Sequence, residues 1–176
     1  MQAQIRHAGP EDAAHASQLA WRAKSSWGYT DEWLELWREA LTITAEHLRA
    51  HESLVAISGD QIVGVCILES HSDRGSLEHV WVAPEYQGRG IGRALVQRAL
   101  DKAALLGLAT VEVASDPFAE TFYLRLGARR LRVMFAPMPG APERTLPVLE
   151  FVLGSGLSAQ PANKPLNPTS GAPNAS

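Results

Sequence analysis

Three glycines fall within five residues, Gly88, Gly90 and Gly92, at a point where the sequence changes its period. Before them, Leu77 to Val82 reads as a strand. After them, Ile91, Leu95, Ala99 and Ala103 recur at every fourth position with Val96 and Leu100 beside them. This is the apolar stripe of a helix of about four turns ending at Gly107. A strand that passes directly into a helix presents the first helical amides, which lack intrahelical partners and carry partial positive charge, and glycines let that backbone approach an anion closely. The segment therefore predicts a phosphate or pyrophosphate site with Arg89 and Arg93 at its rim. The competing reading is a glycine-rich turn that only connects two elements.

Two nucleotide-binding patterns are excluded. A P-loop requires Lys-Ser or Lys-Thr after its last glycine, and Arg93-Ala94 follows here. A dinucleotide fingerprint counted from Gly88 requires glycine at the sixth position, which is Arg93, so Glu112 in the next strand is read as a solvent-facing residue rather than a ribose ligand.

Around this junction, strand and helix patterns alternate. Gln2 to His7 predicts a short first strand, Pro10-Glu11-Asp12 opens a helix to about Ser26, and Asp31 to Ala40 restores helical spacing after Gly28. Thr44 caps a further short turn through His47. Ser53 to Ser58 and Gln61 to Glu69 flank Gly59-Asp60 as a hairpin. Ala109 to Ala114 is a strand, Asp116-Pro117 starts a helix that Gly127 stops, and Arg129 to Ala136 and Thr145 to Leu153 close the pattern around a proline-rich loop. The expected fold is one mixed α/β layer domain over residues 1–153, which 176 residues at 45% apolar composition can supply with a single core. Residues 154–176 are Gly, Ser, Pro, Asn and Ala-rich without an aromatic residue and are expected to form a disordered tail.

Composition narrows the function. A net charge of -3 with scattered basic residues gives no cationic face for nucleic acid or anionic lipid. The single cysteine, Cys66, lies inside an apolar run and reads as a buried thiol, which suits a reducing cytoplasm. Met1 to His7 has no export signal, and no apolar stretch approaches the roughly 18 residues of a membrane span, so neither export nor insertion is expected.

Gln87-Gly88-Arg89-Gly90-Ile91-Gly92 resembles the signature of the GNAT superfamily of acetyltransferases: Gln or Arg, two residues, Gly, one residue, then Gly or Ala. A second stretch, Asp116-Pro117-Phe118-Ala119-Glu120-Thr121-Phe122-Tyr123-Leu124-Arg125-Leu126-Gly127-Ala128, is similar to the family's Asn-x-x-Ala and Phe-Tyr-x-x-x-Gly-Phe, with Asp for Asn and Ala128 for the final Phe. The resemblance implies a sheet of about seven strands with flanking helices, whose central parallel strands Leu77 to Val82 and Ala109 to Ala114 splay apart. It implies a bacterial N-acetyltransferase that carries acetyl groups from acetyl-coenzyme A to a primary amine, expected to be that of a small molecule, by direct attack in a ternary complex and without a metal. The amides of Gln87, Gly88, Arg89, Gly90, Ile91, Gly92 and Arg93 would wrap the pyrophosphate. Val80, Trp81 and Val82 would bind the pantetheine arm, with Asp116, Ala119 and Phe122 from the second motif. For Asp116, a role as helix N-cap before Pro117 competes with a cofactor contact.

By the same resemblance Tyr123 is the acid for the departing thiolate, its alternative role being packing beside Phe122. Glu78 is the favoured base over His79, since neighbours on a strand face opposite sides and only one can face the cleft. The first two helices would cover the acceptor side. There Trp27 and Tyr29, flanking Gly28 in a loop, are substrate candidates, whereas Trp33 and Trp37 at i, i+4 spacing read as packing. A catalytically idle acyl-coenzyme A binding domain and an enzyme acting on a protein N-terminus or lysine are the alternatives. A homodimer is common in the family, and no feature here fixes it. Asn163 to Thr169 is similar to the ends of integron gene-cassette proteins, which would make the tail a by-product of gene mobility; a flexible partner-binding segment is the other reading.

Overall fold

A computed structural model describes residues 3–154 of the chain. The tail therefore lies outside the described residues apart from Gly154. Seven strands form one mixed sheet: β1 (Gln4–His7), β2 (Glu52–Ser58), β3 (Gln61–His71), β4 (Arg74–Val82), β5 (Thr110–Ala114), β6 (Arg129–Phe135) and β7 (Thr145–Val152). Their spatial order is β1-β2-β3-β4-β5-β7-β6, and only β4 and β5 are parallel. Five helices accompany the sheet: α1 (Ala13–Ser25), α2 (Asp31–Leu36), α3 (Ala45–Ala50), α4 (Ile91–Leu105) and α5 (Glu120–Arg125). The seven-stranded mixed α/β architecture is the one expected. Among the described residues no helix is long and apolar enough to cross a membrane.

The centre of the sheet is buried on both faces, which explains why β3 reads as a continuous apolar run rather than an alternating one. Val63, Val65, Cys66, Ile67 and Leu68 are all at most 1% exposed. Alternate residues meet different layers: a Cβ on Gly64 would meet Leu95 and Ile91 of α4, while α1 also packs on β3 and β4. Burial pushes the Cys66 thiol up to about 12, so it stays protonated and inert in the core.

Element boundaries depart from the sequence reading where polar residues carry regular structure. The hairpin through Gly59 and Asp60 forms as expected, with Ser58 paired to Gln61. β3 and β4, however, extend to His71 and Arg74 through a second tight turn in which Ser72 takes φ 55°. Those exposed ends have no apolar pattern to betray them. Helix α2 stops at Leu36 instead of Ala40, and the chain relaxes into turns bonded from Arg38 to Glu35 and from Thr42 to Glu39. This lets Leu41 and Ile43 reach the core, where they are 5% and 2% exposed. Thr44 does cap α3, accepting from the His47 amide at 3.0 Å, but the helix runs on to Ala50. Helix α5 begins at Glu120 rather than at Pro117.

Gly64 is where the α4 layer tolerates no added atom. A Cβ there would stand 2.8 Å from a Leu95 methyl and 3.3 Å from the Ala56 Cβ. Gly64→Val is therefore expected to lower stability by about 1–3 kcal/mol through overpacking, measured as a shift of the urea midpoint.

Candidate active site

The parallel strands part company early. β4 and β5 pair at Arg74 with Thr110, Gly75 with Val111 and Ser76 with Glu112, and then no further, although β4 continues to Val82 and β5 to Ala114. The β4 edge beyond Ser76 thus has no partner from β5. Two cavities occupy the opening, a cleft of about 500 Å³ and a smaller space of about 170 Å³. Trp27, Val80, Trp81, Ala119 and Tyr123 line both, so these side chains form the partition between them.

The glycine segment closes one end of the larger cleft, and its three glycines have different physical reasons. Gly88 and Gly90 take φ 72° and 81°, the left-handed region in which a side chain is strained, and have open space around them. Gly90 is the residue before α4 and offers no side-chain cap, so the α4 amides that follow stay available to a ligand. Gly92 has ordinary φ but lies against Phe122, whose ring carbon would be 3.2 Å from an added Cβ. Of the residues predicted for this site, Val80, Trp81, Val82, Gln87, Gly88, Gly90, Ile91, Gly92, Arg93, Ala119 and Phe122 line the cleft. Arg89 does not line it, and its guanidinium stands 5.0 Å from the Tyr86 ring centroid. The Gln87 side chain donates to the Val82 carbonyl at 3.3 Å, tying the loop to the end of β4.

Sequence reasoning passed over Tyr86, Phe118, Thr121, Arg125 and Leu126, which also line the cleft. Arg125, in α5, and Leu126, at its C-cap, fall three and four residues after Phe122, so helical spacing from Phe122 was the available signal for these two.

Tyr123 is 5% exposed, at the junction of the two cavities, with the Phe122 ring edge-on at 5.0 Å. Burial raises its pKa above the ordinary phenol range, reinforced by the charge of Glu78, so the hydroxyl keeps its proton. Among the described residues that hydroxyl has no hydrogen-bond partner, leaving it free to donate to a ligand.

Glu78 and His79 require a correction to simple strand alternation. Val65 pairs with Trp81 and Ile67 with Glu78, so Cys66 opposes two residues, and His79 takes φ 50°. This is a β-bulge, and it turns both Glu78 and His79 into the smaller cavity. The Glu78 carboxyl is raised above the usual carboxylate range, first by the protein packed around it and then by the charge of Glu69. His79 is lowered to about 4 by burial and by the neighbouring His47, so its ring is neutral at neutral pH.

The aromatic side of the site is already filled by the chain's own cation. The Lys24 ammonium, on α1, lies 4.2 Å from the Trp37 ring centroid, 4.8 Å from Tyr29 and 5.1 Å from Trp27. Its partner is Asp116, 2.6 Å away, and the two side chains are 9% and 7% exposed. Asp116 also accepts from the Tyr29 hydroxyl at 2.9 Å and from the Phe118 amide at 3.0 Å. Asp116 is therefore a buried counter-ion that shapes the turn before α5, with Ala119 in the cap position, and not the helix N-cap. It lines the smaller cavity alone. Tyr29 lines neither cavity, and burial followed by Asp116 pushes its hydroxyl up to about 12. Trp27, by contrast, packs on Trp81 with tilted rings at 5.6 Å and faces both spaces. Trp33 and Trp37 pack on Tyr29, as their spacing suggested.

Removing one member of a buried ion pair leaves the other charged and dry. Asp116→Ala is expected to cost about 3–5 kcal/mol, read from denaturant unfolding, whereas Arg22→Ala, which breaks the exposed pair with Glu85, is expected to cost less than about 1 kcal/mol.

Comparison with known proteins adds the lineage. Residues 15–128 match the family model described as Acetyltransferase (GNAT) family. Curated proteins give no match. Among solved structures, the fold is similar to the PaiA N-acetyltransferase of Thermoplasma acidophilum in complex with coenzyme A, at 19% identity over 87% of this chain and 100% of that one, TM-score 0.69. It is similar also to the ribosomal-protein-S18-alanine N-acetyltransferase of Escherichia coli, at 16% identity over 90% of this chain and 98% of that one, TM-score 0.66. A third is N-acetylglutamate synthase from Neisseria gonorrhoeae complexed with coenzyme A and L-arginine, at 18% identity over 87% of this chain but 34% of that one, TM-score 0.62. The family model covers well over half of the chain, and with the glycine loop, the splayed strands and the buried tyrosine already in place it assigns the protein to the GNAT family of acetyltransferases.

Proposed function

We propose that the protein transfers the acetyl group of acetyl-coenzyme A to the primary amine of a small molecule held in the same complex. The observation that carries this reading is Tyr123, a protonated phenol with a free hydroxyl, placed where a cleft bounded by open helix amides meets a second cavity. The fit to the cosubstrate rests on the loop. Amides of Gln87 to Arg93, including that of Arg89 although its side chain turns away, offer a cradle for the pyrophosphate, and Arg93 adds charge. Two of the structures with this fold hold coenzyme A. The unpaired edge of β4 at Val80 to Val82 offers main-chain hydrogen bonds to the pantetheine amides, with Ala119 and Phe122 flanking the arm. Asp116 contributes by fixing the turn ahead of Ala119.

The smaller cavity then receives the amine. Its volume of about 170 Å³ suits the head of a small molecule, and Trp27 and Trp81 wall it while Tyr29 braces Trp27 from outside through Phe118 and Lys24. Glu78 accepts a proton from the ammonium form, directly or through water, and the neutral amine attacks the thioester carbonyl carbon. The carbon–sulfur bond breaks as Tyr123 donates to the developing thiolate, which leaves as the coenzyme thiol, and the proton shed by the new amide nitrogen restores the phenol. A raised carboxyl is the better base for this task because its pKa lies nearer the working pH.

Calorimetric titration with acetyl-coenzyme A tests the first half. Wild type is expected to bind, and Gly90→Asp, which puts negative charge beside the pyrophosphate amides, to bind at least about 100-fold more weakly while remaining folded. Absence of binding by wild type would remove the reading altogether. The second half is tested by turnover of a panel of small amines against peptides. Tyr123→Phe is expected to lower kcat by about 10²–10⁴-fold with little change in coenzyme binding. Cosubstrate binding with no turnover of any acceptor would favour an idle acyl-coenzyme A binding domain, and preference for peptides a protein-directed enzyme. In the pH profile, kcat/KM is expected to fall toward acid through a midpoint above 4.5, where Glu78 takes up its proton, and Glu78→Gln to flatten that limb.

A further inference from the structure

Away from the cleft's glycine end, three side chains from two elements converge without any role in the reading above. His47 lies in α3 and His51 is the extended residue that ends it, and their ring centroids stand 5.0 Å apart. Glu69, near the end of β3, meets them: His47 Nε2 is 2.8 Å and His51 Nε2 3.6 Å from the same oxygen, Oε1. The three ligand atoms all lie within 4.8 Å of one another, and all three residues are half-buried. Two imidazole nitrogens and a carboxylate oxygen from two elements thus converge on one point.

We propose that His47, His51 and Glu69 bind a divalent transition-metal ion of the zinc type, which clamps α3 to β3. A tetrahedral zinc with bonds of about 2.0–2.2 Å separates its donor atoms by about 3.3 Å, so the observed spacing brackets what an ion needs and only small side-chain movements are required. Two imidazole nitrogens and one carboxylate oxygen match zinc, nickel or copper and mismatch magnesium or calcium, which take oxygen ligands. The fourth position falls to water or to His71, an exposed side chain whose Nε2 is 4.0 Å from the other Glu69 oxygen. The site adjoins the smaller cavity, because His79, which lines that cavity, packs its ring against His47 at 5.3 Å. This departs from the expectation of no metal site; the clamp needs no part in the chemistry.

The test is calorimetric titration of the full, tag-free chain with zinc chloride after dialysis against a chelator. One ion per chain is expected. His51→Ala, which removes no side-chain hydrogen bond, and Glu69→Gln are each expected to weaken binding at least about tenfold, since even the groups behind metal ligands are worth about 10–100-fold. His15→Ala, a change at an exposed α1 histidine, is expected to leave it unaltered. Circular dichroism establishes that each variant is folded, and zinc is expected to raise the Tm of wild type but not of His51→Ala. No zinc binding by wild type, or binding that survives either ligand substitution unchanged, overturns the proposal. Because the readout is the ion alone, failure here leaves the acetyltransferase reading standing, and the reverse.

Discussion

Everything at the candidate site depends on β4 and β5 giving up their hydrogen bonds after Ser76. Parallel pairing continued in register would hold Val113 and Ala114 against Leu77 and Glu78 and narrow the opening that leads to Val80 to Val82. Breaking it leaves backbone groups of β4 facing the cleft without a partner from β5. The bulge at His79 belongs to the same device. By inserting one residue opposite Cys66 it twists the outer half of β4 away from β5 and turns two adjacent polar side chains to the same space.

A sheet opened in this way needs something to hold its halves at a fixed spacing. The tie is ionic: Lys24 from α1 pairs with Asp116, two residues beyond the end of β5, so the helix that packs on β3 and β4 is bonded to the far side of the gap. The aromatic rings around Lys24 make this pair dry, which strengthens it and makes its loss expensive. Arg144, 3.7 Å from Asp116, and the bond from Trp33 Nε1 to the Pro139 carbonyl add the loop between β6 and β7 to the same cluster. Trp27 and Trp81 are left to wall the smaller cavity, while Tyr29, Trp33 and Trp37 pack around the ion pair and the loop.

The sequence made the fold legible wherever apolar periodicity was strong. The α4 stripe, the β3 run and the hairpin at Gly59-Asp60 stand where they were expected, because each is dictated by burial on known faces. What escaped was polar structure. The exposed ends of β3 and β4 carry no stripe, α2 yields to the pull of Leu41 and Ile43 into the core, and a single-residue bulge is invisible to alternation. The site divides along the same line. The glycine segment stood out by local pattern and Tyr123 by its place in the family's second motif, whereas Lys24 did not stand out, since the partner that gives it meaning lies 92 residues away in the chain. Arg89 shows the limit of motif reasoning: its place in the signature concerns its backbone, and its side chain goes elsewhere.

The same letter in a motif can also answer to different forces, which the three glycines make plain. At Gly88 and Gly90 there is open space, so size is irrelevant and positive φ is the reason; an asparagine, which tolerates that region, can take up the conformation at modest cost. At Gly92 φ is ordinary and the constraint is the Phe122 ring at 3.2 Å, so the demand there is for a small residue and comes from α5 rather than from the loop. Gly92 thereby couples the two motifs physically. The close seating of α4 on Phe122 sets where α5 lies, and α5 carries Tyr123 to the junction of the cavities. Bulk at position 92 would press on Phe122 and, through α5, on Tyr123, as well as on the cleft that Gly92 itself lines.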